Sequence, residues 1–210
     1  MDIAVVKHSG ETTGKKIALS DAIFGIEPND HAIYLDVKSF LANQRQGTHK
    51  SKQRAEIAGS SKKLKKQKGT GGARAGNIKN PLFKGGGRIF GPTPRDYSFK
   101  LNKKVKDLAR KSALSYKAKE NAIAVLEDFN FEAPKSKQYI QMLSALSLSD
   151  KKTLLVLPES VKNIVLSGRN VQKTKVTAVD QINTYDLMNA DNLIFLESAV
   201  DKIVNLLNKD

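Results

Sequence analysis

The side chains of this chain with an obvious chemical capacity are cations, and they are concentrated between Arg45 and Lys104. This window contains 17 lysines and arginines but only two acidic residues, Glu56 and Asp96, a net charge of 17 − 2 = +15. The whole chain has the same net charge, 36 − 21 = +15, so the rest balances at 19 basic and 19 acidic residues. Cations at this density neutralise phosphates and release counterions. The window therefore predicts a polyanionic partner.

The window is also rich in glycine, with ten of the fourteen glycines of the chain, and poor in aliphatic residues. Glycine lets the backbone approach a surface closely, and arginine can bind phosphate through two parallel hydrogen bonds. Such a composition cannot offset its ordering entropy with a core of its own. We predict one domain over residues 1–210, with an extended Gly/Lys/Arg-rich arm inserted at residues 45–99. For the lysine cluster of residues 62–68 a solvated, disordered tail is the alternative, but the mid-chain position of the cluster disfavours it.

Nucleic acid fits this arm better than an anionic membrane does, because the arm has no apolar stripe at helical spacing. We also expect no membrane span and no signal peptide, and hence a soluble, cytoplasmic protein. The cations that we expect to bind RNA are Arg45, Lys50, Lys52, Arg54, Lys62, Lys63, Lys65, Lys66, Lys68, Arg74, Lys79, Lys84, Arg88, Arg95, Lys103 and Lys104.

Four aromatic residues are interleaved with these cations: Phe83, Phe90, Tyr97 and Phe99. Aromatic rings among cations can stack on unpaired bases, or they can pack where the arm returns to the domain. We favour packing for Tyr97 and Phe99 and leave both readings open for Phe83 and Phe90.

Sequence motifs typical of enzymes are missing. The chain has no GxxxxGK[ST], GxGxxG or GxSxG motif and no cysteine, and His8, His31 and His49 are scattered without metal-ligand or triad spacing. We predict no enzyme, no catalytic residue, no cofactor and no metal. An RNA-modifying enzyme would need a glycine-rich turn directly after a strand, and none follows Leu126, Leu157 or Val179.

The remaining residues have the pattern of an α/β domain. Short continuous apolar runs are typical of strands covered on both faces, and helical i, i+3, i+4 patterns alternate with the later runs. We predict a three-layer, mainly parallel sheet with flanking helices. The predicted strands are 3–6, 17–19, 122–126, 153–157, 176–179 and 193–196.

Two further helices flank the arm. Asp30 is the predicted N-cap of the first, with Ile33, Val37, Phe40 and Leu41 facing inward. Asn102 is the predicted N-cap of the second, whose apolar side contains Val105, Leu108, Ala109, Ser112 and Tyr116.

Several spaced motifs of the arm, in this order, resemble the bacterial large-subunit ribosomal protein L4 family. They are RQGT from Arg45, Lys52 and Arg54, QKGTGGARAG from Gln67, Pro81, GGGRIFGPTPRDYS from Gly85, and Lys103-Lys104 before a Leu/Ala-rich helix. The resemblance is strong over residues 44–120. Two departures lie at or near the tip: Leu64-Lys65-Lys66 replaces a proline-tryptophan-basic sequence, and Gly72 replaces an arginine.

This resemblance implies a structural, monomeric component of the large ribosomal subunit. It implies an arm that threads through 23S-type ribosomal RNA, supports assembly and reaches the peptide exit tunnel beside the L22 family. Arg45, Lys52, Arg54, Arg74, Arg88 and Arg95 match RNA-gripping positions. The tunnel-facing tip, in passing contact with the nascent peptide, would be Lys66, Gln67, Lys68, Gly69, Thr70 and Gly71. A non-ribosomal RNA-binding architectural protein or RNA chaperone is the alternative function.

Overall fold

The computed structural model describes residues 1–208 and has an α/β fold with a six-stranded sheet. The strands are β1 (Asp2–Val6), β2 (Thr12–Ala18), β3 (Ile123–Leu126), β4 (Thr153–Leu157), β5 (Thr174–Ala178) and β6 (Asn192–Leu196). The helices are α1 (Asp21–Phe24), α2 (Asp30–Asn43), α3 (Lys103–Lys119), α4 (Ser136–Ala145), α5 (Lys162–Arg169), α6 (Thr184–Asn189) and α7 (Glu197–Leu207), with a 3-10 turn at Val179–Gln181.

The sheet is mixed, with strand order β2-β1-β3-β6-β4-β5. β2 pairs antiparallel with β1, and every other neighbouring pair is parallel. All five residues of β4 and four consecutive residues of β6 are buried. Because successive side chains of a strand point to opposite faces, this burial requires cover on both faces. The predicted mainly parallel α/β sheet with flanking helices is confirmed.

Helices α1 and α6 pack on α3, α4 packs on α5, and α7 packs against β4 and β6. The core lies between these helices and the central strands. Phe24 meets Phe195 of β6 edge to face, with ring centroids 6.5 Å apart, an arrangement that aromatic pairs prefer.

Four sequence-based details need correction. β2 is an edge strand with mostly exposed residues, not a strand covered on both faces. The cap of α2 is Asn29, whose Oδ1 accepts a 2.9 Å hydrogen bond from the N–H of Ala32; Asp30 is already helical. Leu41, predicted to face inward, and Leu108, placed on the apolar side of α3, are 44% and 39% exposed.

The described chain divides into two compact units, one of residues 1–41 and 100–208 and one of residues 42–99. Residues 44–102 contain no helix or strand. Within residues 1–208, no helix is long and apolar enough to cross a membrane.

Candidate nucleic-acid interface

The 42–99 unit runs out and back, and its two halves are joined by backbone hydrogen bonds. The N–H of Arg95 donates to the carbonyl of Gly47, that of Ser51 to Pro92, that of Arg88 to Lys52 and that of Leu64 to Gly76, at 2.9 to 3.2 Å. The residue numbers of these partners sum to nearly the same value, so the halves are antiparallel and in register. These four hydrogen bonds, without a strand ladder or an apolar core, are the framework of the unit.

Two glycines are required by this framework. At Gly87, which is buried, a Cβ atom would lie 2.4 Å from the backbone nitrogen of Arg54 on the opposite half. At Gly47 the backbone has φ +65°, and a Cβ atom would lie 2.1 Å from the carbonyl oxygen of Arg95. Both distances are too short for any side chain, so the two halves approach this closely only because glycine is present.

The cations of the unit point outward. Residues 42–99 contain 14 basic and two acidic residues, a charge of 14 − 2 = +12, and the basic side chains are exposed except Lys79, which is half-buried. Within residues 42–99 the ion pair found is Lys50 with Glu56. The hydrogen bond from Lys50, with a second from the Gln53 N–H, lowers the pKa of Glu56. Nearly all of the positive charge is therefore left uncompensated by the protein.

Tyr97 organises a pair of arginines at the end of the unit. The guanidinium carbons of Arg45 and Arg95 lie 3.7 and 4.5 Å from the centre of its ring. The His49 ring stacks on it at 6.2 Å, with His49 Nε2 3.3 Å from the Tyr97 hydroxyl. Hydrogen bonding to Arg95, followed by the charges of Arg95 and Arg45, lowers the pKa of the Tyr97 phenol. Tyr97 therefore packs within its unit, on two arginines and an imidazole rather than on the other aromatic residues.

Three cations converge on a cavity further out in the unit. Arg54, Lys63 and Arg74 line a 430 Å³ open space together with polar groups that include Ser61 and Gln67. Guanidinium and ammonium groups around such a space can bind phosphate oxygens from several directions. The cavity therefore has the chemistry of a phosphodiester site.

The residues predicted to form the tip lie at the turn of the out-and-back path. The Leu64 to Gly76 hydrogen bond closes a loop that contains residues 66–71, all of them exposed. Gly69 and Gly71 have φ values of +81° and +62° and open space around them. The loop is tied to its unit through Gln67, whose Oε1 accepts a hydrogen bond from Lys63 Nζ, whereas Gly69 and Gly71 have no neighbours to constrain them.

The other aromatic and basic candidates are placed differently. Phe90 is fully exposed and Phe83 is 37% exposed, so both rings are accessible for stacking, whereas Phe99 is half-buried. Lys103 and Lys104 are exposed in the first turn of α3, in the other unit. Sequence reasoning missed the arginine-tyrosine stack and the glycine partners, since spacing along the chain does not show which residues pair across the two halves.

The residue types that bind metals do not cluster in the same way in the part of the chain that the structure describes. Within residues 1–208, no group of three or more histidine, aspartate or glutamate side chains is arranged to hold a metal ion. His8 and His31 each lie beside an aromatic ring, Phe129 and Tyr34 respectively.

Residues 17–206 match the model of the family described as "Ribosomal protein L4/L1 family". Curated relatives include the "Large ribosomal subunit protein uL4" of Amoebophilus asiaticus, 62% identical over 208 residues and 99% of each chain. The protein of the same name from Cytophaga hutchinsonii is 62% identical over 99% of this chain and 100% of its own. That from Flavobacterium johnsoniae is 59% identical over 100% of both chains.

Proposed function

The chain belongs to the ribosomal protein L4/L1 family, and from that premise we propose that it is a structural constituent of the large ribosomal subunit. Membership in a ribosomal protein family confirms the prediction that it is not an enzyme. As a ribosomal component it would work in the cytoplasm. Its partners would be large-subunit ribosomal RNA and neighbouring ribosomal proteins, including the L22 family.

The observation that supports RNA binding best is the +12 charge of the 42–99 unit on outward-pointing side chains. Phosphate contacts of this kind give strong, salt-dependent affinity and fix the position of a protein on RNA without reading its sequence. Arginines held by stacking, as at Tyr97, lose less freedom on binding than free side chains do. The basic residues of the arm, with Lys103 and Lys104, would thus bind phosphates, and Phe83 and Phe90 would be available to unpaired bases.

We further propose that RNA orders the arm, residues 45–99. The unit is held by few backbone hydrogen bonds and has no apolar core, while its like charges repel each other. Phosphates would remove that repulsion and add hydrogen bonds. In this view the out-and-back arrangement is the bound conformation, and in the free protein the arm exchanges between many conformations.

A sedimentation experiment tests the proposed function. Large subunits from cells that express a tagged form of the chain are washed with moderate salt and separated on a gradient. We expect the protein to remain in the large-subunit peak at about one copy per particle. An RNA chaperone or free architectural protein would instead move to the top of the gradient on washing.

The proposed place of the tip is the wall of the exit tunnel. The exposed loop of residues 66–71 supports this role only by its position at the far end of the hairpin-like path, together with the family resemblance. Lys68→Glu should leave subunit assembly nearly normal while changing inhibition of translation by macrolide-type tunnel inhibitors, whereas Arg88→Glu should impair assembly. An assembly defect with Lys68→Glu, or unchanged drug inhibition, would contradict the placement of the tip at the tunnel wall.

A further inference from the structure

The unit of residues 1–41 and 100–208 has an apolar groove that none of its own side chains fills. Ile33, Tyr34 and Val37 of α2 form one side, Tyr116 of α3 and Met188 of α6 form the other, and the volume is 480 Å³. Tyr34 is 56% exposed and Met188 is 38% exposed. Tyrosine and methionine are enriched in the centres of protein interfaces, because they bury a large area and adapt to a partner.

Helix α2 is apolar on more than the side it buries. Ala32, Ile33 and Ser39 are buried, yet Tyr34 and Leu41 on other sides of the helix are strongly exposed. A surface helix normally has one apolar stripe and a polar remainder. Exposed apolar area beyond that stripe marks an interaction surface.

The charges of the groove select the class of partner. Its lining contains two acidic residues, Asp30 and Glu120, and no basic residue, in a chain of net charge +15. Lys117 donates to Glu120 at 3.3 Å, and Lys38 Nζ lies over the Tyr34 ring, 5.4 Å from its centre. Asp30 accepts a 2.5 Å hydrogen bond from the Tyr116 hydroxyl, which fixes one carboxylate at the rim. Carboxylates at an apolar surface repel phosphates and favour cations.

We propose that this groove binds a cationic segment of another protein, anchored by at least one large apolar side chain. The apolar floor supplies the area for the anchor, and Asp30 and Glu120 bind lysine or arginine beside it. The groove is therefore a protein-binding surface, in contrast to the RNA-binding arm. Its assignment to a partner inside the large subunit rests on the proposed function, but the chemistry of the groove does not.

Binding of model peptides to the purified full-length protein tests the chemistry directly. The probe is a fluorescent 12-residue peptide of lysine and leucine with helical amphipathic spacing, and its control replaces lysine with glutamate. We expect saturable binding of the lysine peptide, weakened at least fivefold by Tyr34→Ala and by Glu120→Lys. Ile140→Ala, at a 47% exposed position on α4, is the matched control and should leave affinity unchanged. The glutamate peptide should bind the cationic arm, and Tyr34→Ala should not alter that binding.

Photo-cross-linking in washed large subunits tests the partner. With p-benzoylphenylalanine in place of Tyr34, we expect a cross-link to a protein peptide that carries a net positive charge and a large apolar residue. The same group in place of Ile140 should not give that product. A cross-link to ribosomal RNA, to a second copy of the chain or to an acidic segment, or no cross-link, would overturn the proposal.

The two experiments also separate the inference from the proposed function. If the protein is absent from large subunits, the proposed function is wrong, and the peptide experiment still tests whether the groove binds cationic segments. If the lysine peptide does not bind, or if Tyr34→Ala and Ile140→Ala have equal effects, the groove is not a site for cationic segments.

Discussion

Gly87→Ala is the substitution that best tests the out-and-back framework, because it changes shape without changing charge. The new Cβ atom would lie 2.4 Å from the Arg54 backbone nitrogen and 2.6 Å from the Arg54 Cα. Both are backbone atoms, so no side-chain rotation relieves the overlap. The two halves of the unit must separate at this level.

Separation breaks the hydrogen bond that joins the two halves beside the substitution. The Arg88 N–H donates to the Lys52 carbonyl at 3.1 Å. Its loss costs about 0.5 to 1.5 kcal/mol in the ordered arm. Since about 1.4 kcal/mol is tenfold in affinity, binding to RNA should weaken roughly 2- to 12-fold.

The assay is equilibrium binding of the labelled protein to deproteinised large-subunit ribosomal RNA over a range of salt concentrations. Gly76→Ala is the matched control: the same change in the same unit, where the nearest atom to the new Cβ is the end of the Arg54 side chain, at 4.0 Å. Gly87→Ala removes no cation. The binding constant should therefore fall, while the slope of its logarithm against the logarithm of the salt concentration stays unchanged.

Two results would refute this reasoning. Wild-type affinity for Gly87→Ala would mean that RNA does not bind the arm in its out-and-back form. Equal losses for Gly87→Ala and Gly76→Ala would mean that the close approach to Arg54 is not the cause.

Three further predictions concern mobility, phosphate contacts and ionisation. Limited trypsin digestion of the free protein should cut within residues 45–99 first and leave the α/β body; equal resistance of arm and body would contradict the proposed mobility. Arg88→Gln with Arg95→Gln should reduce the salt slope by about 1.4 to 1.8, since each phosphate contact contributes about 0.7 to 0.9, whereas an unchanged slope would place the main contacts on α3. The hydrogen bond to Asp30 raises the pKa of Tyr116, so ultraviolet titration against a Tyr116→Phe reference should show its phenolate forming above pH 10, and Asp30→Asn should lower the midpoint. Because the folded-state pKa exceeds that of the unfolded chain, this contribution to stability is complete below about pH 10 and is lost as the pH rises through the folded-state value.

The α/β body could be predicted from its apolar runs because its central strands are buried on both faces. β4 begins and ends where the run of residues 153–157 does. The edge strand β2 was predicted less well: only its last residues form an apolar run, and its pairing with β1 depends on a turn around Gly10, which has φ +90°. Helix α6, with only six residues, was missed because it is too short for a periodic pattern.

Capping and surface contacts depend on neighbours that the local pattern does not show. Asn29 and Asp30 are both good N-cap residues. In the structure Asn29 caps the helix, and Asp30 instead accepts a hydrogen bond from Tyr116, 86 positions away. Leu41 and Leu108 have the spacing of core positions, but the interior of their unit does not extend to them. In the arm, the charge of the sequence was enough to predict which residue types would bind RNA. The stack of Arg45 and Arg95 on Tyr97 could not be predicted, because it depends on where the returning half of the arm lies.

A map of protein–RNA cross-links in washed large subunits tests the central claim most directly. Ultraviolet irradiation followed by mass spectrometry identifies each amino acid joined to ribosomal RNA. We predict that the cross-linked residues fall mainly within 45–104, on both halves of the out-and-back path. Cross-links concentrated on the surface of α4 to α7, with the arm free of them, would contradict the claim that the arm is the RNA-binding element.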